Sequence, residues 1–269
     1  MPALYSNKGE KAKDLELPAV FHTPYWPHLI KRAVLAVESS RLQPMGKKPG
    51  SGRNNTAEYI GVRGKPTMYR TINVGRARLP RMRNRRGILY GKVASVPQAR
   101  GGPMAHPPKV EAKREEYINA KERKKAIASA IAASVNRDMV KRRGHRFDEN
   151  IFPLLVDHSF EALTKTKDVR EALQALHVLE DVTHAKKQRK NRAGKMKNRG
   201  KPYKQKKSIL IVVEGQPKIA RAARNLAGVD VVSMRTLNAA HLAPGTHAGR
   251  LTIWTESALA GLMTKQGGA

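Results

Sequence analysis

The sequence predicts an α/β fold: a mainly parallel sheet with helices on both faces, plus a long extended basic internal arm. Three observations predict it. Short apolar runs alternate with amphipathic segments through the second half of the chain, which implies right-handed crossovers between parallel strands. Positive charge is segregated into two segments rather than spread. The first of these, from Pro44 to Pro108, holds ten Gly and eight Pro in 65 residues, a level at which a packed fold is not expected.

The charge sets the organisation. The 269 residues carry 53 Lys+Arg against 21 Asp+Glu, for a net charge of +32 and a pI near 10.8. Pro44–Pro108 holds 14 Lys/Arg and one carboxylate, Glu58, and its densest part reads "GRARLPRMRNRR". Lys186–Lys207 holds 12 Lys/Arg and no acid. Without these two segments a net +7 is left on 182 residues, an ordinary balance for a domain able to bury a core. The expected domains are therefore a globular α/β part, 1–43 with 109–269, an inserted arm at 44–108 and a second basic loop at 186–207.

Taken in order, Ala3–Tyr5 and Asp14–Leu17 read as short strands. "PYWPHLIKRAVLAVESS" reads as a helix with Pro27 at its start and Leu29, Ile30, Ala33, Val34 and Val37 on one face. After the arm, "NAKERKKAIASAIAASV" opens a helix at Asn119 with Glu122 in capping-box spacing, and Ile127, Ile131 and Val135 form its apolar stripe. "FPLLV" (Phe152–Val156) suits a buried strand ending at Asp157. "TKDVREALQALHV" is a helix capped by Thr166, with Val169, Leu173 and Leu176 facing inward. Beyond the second basic segment, "SILIVV", "VDVVS" and "RLTIWT" read as strands. "IARAARNLAG", ended by Gly228, and "ESALAGLMTK" read as helices.

Several chemistries are excluded or weakly supported. With no cysteine there are no disulfides, thiolate zinc sites or thiol nucleophiles. Gly-Lys pairs begin at Gly46, Gly64, Gly91, Gly194 and Gly200, but none is followed by Ser or Thr in Walker spacing, and no GxGxxG opens a helix. Nine histidines are scattered without ligand spacing, and there is no GxSxG elbow. Asp157 and Glu214 follow strands and so fall where α/β sheets bind ligands, but acids there also cap helices and turns. No catalytic residue, metal or cofactor is expected. The N-terminus shows no apolar signal run, and no segment nears the ~20 apolar residues of a membrane span, so a soluble intracellular protein is expected.

The basic segments carry the functional expectation. Like charges of that density stay out of a core unless paired, so they face water or an anion. Against phosphates they release counterions, with a salt slope of roughly −0.7 to −0.9 per phosphate neutralised. The expected RNA contacts in the arm are Arg53, Arg63, Arg70, Arg76, Arg78, Arg81, Arg83, Arg85, Arg86, Lys92, Arg100 and His106. Those in the loop are Lys186, Lys187, Arg189, Lys190, Arg192, Lys195, Lys197, Arg199, Lys201 and Lys204. Arginine grips phosphate with a planar fork and stacks on bases, and Tyr59, Tyr69 and Tyr90 add stacking surfaces between the arginines. Neither segment offers a groove-reading helix, so structured RNA is favoured over duplex DNA.

The residues also resemble a family. "LPAVFHTPYWPHLIKRAVLA", "VPQARGGPMAHPPK", "AGKMKNRG", "RNLAGVDVV" and "LAPGTHAGRLTIWTESAL" are similar, in order, to the archaeal and eukaryotic form of the large-subunit ribosomal protein L-four family. The resemblance implies a non-enzymatic constituent of the large ribosomal subunit, in the cytoplasm, that supports subunit assembly and translation. It implies an arm threading the large-subunit rRNA towards the wall of the polypeptide exit tunnel, and Lys186–Lys207 as a second rRNA contact. Its implied partners are large-subunit rRNA and neighbouring large-subunit proteins, with no membrane and no second copy of itself. Limbs of ~32 residues at ~3.3 Å each would span at most ~100 Å. Two other readings stand beside it: an RNA-binding regulator acting away from the ribosome, and an α/β RNA-processing enzyme using Asp157 and Glu214.

Overall fold

The computed structural model describes residues 2–64, 70–83, 87–215 and 218–266. Strand β1 (Ala3–Tyr5) turns back into β2 (Lys11–Asp14), and helix α1 (Pro27–Ser40) follows. The short strands β3 (Ala57–Glu58) and β4 (Arg81–Met82) lie in the first basic segment. Next come α2 (Ala120–Val135), α3 (Arg137–Arg142), β5 (Leu155–Val156), α4 (Thr166–Ala175) and α5 (Leu179–Lys187). The second basic segment contains β6 (Lys190–Asn191) and β7 (Tyr203–Lys204). The chain ends through β8 (Leu210–Val213), α6 (Ile219–Ala223), β9 (Asp230–Ser233), α7 (Ala239–Leu242), β10 (Thr252–Thr255) and α8 (Glu256–Gln266).

Six strands form one sheet in the order β2-β1-β5-β10-β8-β9. Every neighbouring pair is parallel except β1 with β2, which is antiparallel and shifts register between Leu4 and Tyr5. Because strand side chains alternate, the continuous apolar run of β8 supplies both faces. Leu210 and Val212 pack with Leu4, Leu155 and Trp254 under α1, α2, α7 and α8. Ile209, Ile211 and Val213 pack with Val156, Leu251 and Ile253 under α3, α4, α5 and α6. Fully burying such a side chain contributes about 1.5–3 kcal/mol, which is why β8 and β10, buried along their whole length, lie at the centre.

Several boundaries differ from the sequence expectation, each for a local reason. The second strand is Lys11–Asp14, not Asp14–Leu17, because the turn at Gly9 fixes its pairing with β1. Asn119 precedes α2 without a side-chain cap, and Glu122 bonds Arg32 of α1 at 3.1 Å instead of closing a capping box. The buried face of α2 is Ala126, Ser129, Ala130, Ile131, Ala133 and Ser134, because small side chains let α1 and α2 approach closely. Thr166 is the first residue of α4 rather than its cap, and only Leu155–Val156 of "FPLLV" pair as strand. Helix α6 covers five residues.

The chain divides into two compact units, Met1–Arg41 with Glu115–Ala269, and Leu42–Arg114.

Candidate nucleic-acid interface

The unit 42–114 is held by backbone pairing rather than by a core. The Lys47 amide donates to the Pro108 carbonyl at 3.2 Å, joining the ends of the two limbs. Farther out they touch backbone to backbone. A Cβ on Gly52, whose φ is +83°, would lie 2.5 Å from Gly102 C across the limbs, and one on Gly102 would lie 2.0 Å from the Val96 carbonyl within its own limb. Only glycine fits such an approach. Asn55 ties the limbs further, its amide donating to Gly52 O at 3.1 Å and its carbonyl accepting from Ser95 Oγ at 2.8 Å. Strands β3 and β4 pair antiparallel, and Thr71 Oγ1 donates to the Ile60 carbonyl at 2.8 Å. Among the described residues of this unit only Ile60, Thr71 and Pro103 are buried.

The cations of this unit fall into two groups. Arg81 donates to the carbonyls of Gly91 and Ala77 at 3.0 and 3.1 Å, Arg70 donates to that of Arg63 at 3.1 Å, and Arg83 pairs with Glu58 at 2.5 Å. These three side chains help to shape the loop. Arg53, Arg63, Arg76, Arg78, Lys92, Arg100 and His106 are exposed and form no ion pair among the described residues. Tyr59 and Tyr90 are exposed beside them, as are Ile88 and Leu89. Arg85, Arg86 and Tyr69 lie outside the described residues.

The segment 186–207 is a hairpin. Strands β6 and β7 pair Lys190 with Lys204 and Asn191 with Tyr203, and the Arg192 amide donates to Pro202 O at 2.7 Å. The Arg189 guanidinium lies 3.8 Å from the centre of the Tyr203 ring, and Arg192 Nε donates to Tyr203 O at 2.9 Å. Lys186, Lys187, Lys190, Lys195, Lys197, Arg199, Lys201 and Lys204 are exposed, and none joins an ion pair among the described residues. Adjacent ammonium groups on paired strands repel, so the hairpin is a surface lacking its counter-charge.

Its root, by contrast, holds two carboxylates that pair its cations. Asp181 of α5 is completely buried and accepts from Ser208 Oγ at 2.6 Å, from the Arg146 amide at 3.3 Å and from His145 Nδ1 at 2.9 Å. Burial pushes its carboxyl up, but the hydrogen bonds from His145 and Ser208 and the charge of Lys206 outweigh that and hold it below the ordinary range. Burial pushes the His145 imidazole down more than Asp181 raises it, so this ring is neutral near pH 7. Lys206 donates to Gly144 O at 2.5 Å, and Lys207 reaches both Asp230 oxygens at 2.9 Å. Beneath them lies Arg250, 1% exposed. It donates to Ser208 O at 2.7 Å, His241 O at 3.0 Å, Ile209 O and Gly228 O at 3.2 Å, and Asp230 Oδ2 at 2.7 Å. One planar fork thus fastens the starts of β8 and β9 where the hairpin leaves the sheet.

Lys206 and Lys207 fall in the basic run of the sequence but not among its expected RNA contacts, and the structural roles of Arg250, Asp181, Asp230 and His145 were not foreseen. Their only signal was position beside strand starts, and pairing across 20–40 residues leaves no local pattern.

The strand-end acids form no catalytic pair. Asp157 caps the short helical turn His158–Ala162, accepting from the His158 amide at 2.7 Å. Asp157, His158 and Glu256 offer ligand atoms within 4.8 Å of one another, yet Glu256 is taken by Lys13. Among the described residues no hydrogen bond joins Asp157 to Glu214. No helix among them is long and apolar enough to cross a membrane.

Comparison with known proteins bears on what this surface serves. The model of the ribosomal protein L4/L1 family matches residues 15–265, which spans both basic segments and the whole sheet beyond β2. The chain belongs to the ribosomal protein L4/L1 family. Members are structural proteins, not enzymes. The chain is 51% identical over 251 residues to the large ribosomal subunit protein uL4 of Methanoculleus marisnigri, covering 93% of this chain and 94% of that one. It is 48% identical to the uL4 of Methanocaldococcus jannaschii, covering 95% of each chain. For the uL4 of Archaeoglobus fulgidus the identity is 45%, with 94% of each covered. Coverage this high in both chains means that segments 44–108 and 186–207 belong to the family's length.

Proposed function

We propose that this chain is a structural constituent of the large ribosomal subunit that binds large-subunit rRNA through two surfaces, the arm 44–108 and the hairpin 186–207. It acts in the cytoplasm as part of that subunit and supports its assembly and translation. The observation that carries the reading is that both segments lie inside the family-matched span and present rows of exposed cations of which most form no ion pair among the described residues. In this reading the arm opens from the compact unit and threads the RNA towards the polypeptide exit tunnel wall. The three buried residues among those described cannot offset an ordering cost of about 1–2 kcal/mol per residue, so the arm takes its final shape from the RNA around it. Exposed Ile88, Leu89 and Tyr90 would then gain the burial they lack in the free chain. The globular domain sets the direction of the hairpin through the Asp181 and Arg250 contacts, and the hairpin supplies point charges to phosphates.

Deletion of 46–102 tests the arm. Binding to large-subunit rRNA, measured against salt, is expected to weaken and to lose several units of slope. Undiminished affinity with an unchanged slope would remove the arm as the main contact.

A further inference from the structure

The two edges of the central sheet are treated differently. Strand β2 is guarded: all four residues are exposed, Lys11 and Lys13 are held by Asp14 and Glu256, and its register with β1 is irregular. These features keep another strand from adding there. Strand β9, at the far edge, pairs with β8 alone among the described residues, in regular register, and its one charged residue is Asp230 at its start. Its sequence is Asp-Val-Val-Ser, and Val231 and Ser233 are half-buried.

The hydrogen-bond alternation fixes what that edge offers. The amides of Asp230 and Met234 donate to Ile209 and Val213 of the β8 strand. In a parallel ladder every second residue turns its backbone to the neighbour, so the Val231 and Ser233 amides point to the open side. Beside them runs a groove of about 910 Å³ lined by Val213, Val231, Val232, Lys218, Arg221 and Arg224. The three cations are exposed and form no ion pair among the described residues. No acid is among the lining residues; of the two nearby, Asp230 is already neutralised by Lys207 and Arg250, and Glu214 is exposed next to Val213.

We propose that this edge is a docking site for an extended acidic segment of another protein, which adds to β9 as a seventh strand. Open amides at a two-residue repeat match a peptide backbone, the valines match its apolar side chains, and the α6 cations match its carboxylates. An RNA strand would find the cations and the His241 ring but no tyrosine, phenylalanine or tryptophan among the lining residues, and it would leave the open amides unused. The site adjoins the root of the second basic segment, where Arg224 shares a neighbouring cavity with Lys186 and Arg189, but it uses none of the residues assigned to RNA above.

The test is amide hydrogen exchange, read by NMR on the full chain. The probe is a blocked peptide of alternating valine and glutamate. The first control has the same charge but carries N-methyl groups at alternate residues, and the second is oligouridylate. The plain peptide is expected to slow exchange at Val231 and Ser233 about tenfold or more, with the N-methylated one having no such effect. The double change Arg221→Glu with Arg224→Glu, on an exposed helix face, is expected to abolish the protection while leaving β8 exchange unchanged. Equal protection by the N-methylated peptide would mean that charge alone acts, and would overturn the proposal. So would protection confined to 186–207, or protection of Val231 and Ser233 by oligouridylate at least as strong as by the peptide.

Discussion

Replacing Arg250 by methionine probes the joint between the sheet and the basic hairpin. The side chain is 1% exposed and donates to four backbone carbonyls as well as to Asp230. Asp230 keeps Lys207 and is partly exposed, so its charge is not stranded, and Ile209 O and Gly228 O keep the amides of Asp230 and Ser208; the loss falls on the carbonyls of Ser208 and His241. Each buried acceptor left without a donor costs about 1–3 kcal/mol, and methionine recovers part of this through apolar contact. The net is about 3–5 kcal/mol, the range for breaking a buried charged network. For a unit of this size, 1 kcal/mol moves Tm by about 2–4 °C, so calorimetry is expected to show a fall of about 6–20 °C. Arg250→Lys is expected to lose nearly as much, because one ammonium cannot serve five acceptors in a plane. Arg100→Met, at an exposed site, is expected to stay within about 0.5 kcal/mol. A fall under about 2 °C for Arg250→Met would refute the view that this residue fastens the sheet edge.

Acid is expected to weaken the fold through His145. Its folded pKa lies below the ordinary 6.5, so the unfolded chain binds more protons as pH falls through that value, and stability is lost on acidification. The depressed Asp181 carboxyl loses its contribution only nearer its own ordinary value of 3.8, outside this window. The urea midpoint is therefore expected to fall between about pH 7.5 and 5.5, and to fall less in His145→Gln; an equal fall in both would exclude His145 as the source. Changing Lys195, Lys197, Arg199 and Lys201 to glutamine is expected to reduce the salt slope of rRNA binding by about 3 with Tm unchanged. An unaltered slope would show that the hairpin tip does not meet phosphate.

The fold was legible wherever burial on two faces leaves an unbroken apolar run, as in "SILIVV" and "RLTIWT". It was legible too where helical spacing puts Val169, Leu173 and Leu176 on one buried stripe. It was less legible where tertiary packing overrides pattern: the α2 interface runs through alanines and serines, while Ile127 and Val135 are only partly buried. The strand order also lies beyond periodicity, since β10, last in sequence, inserts between β5 and β8. At the site, charge segregation identified both basic segments but could not separate cations that build the protein from those left for a partner. Arg81, Arg83, Lys206 and Lys207 have internal partners, whereas Lys195 and Lys201 form no ion pair among the described residues. That distinction rests on carbonyls and carboxylates brought in by the fold.

The most direct test of the account is a salt wash of large subunits carrying either the full chain or the form lacking 46–102. At about 1 M salt the screening length falls to ~3 Å, so charge contact at a surface no longer holds a protein in place. The full chain is expected to stay with the subunit through sedimentation, because a threaded arm cannot leave without unfolding its RNA, while the shortened form is released. Release of both forms at the same salt concentration would contradict the threaded arm and leave a peripheral, charge-held protein.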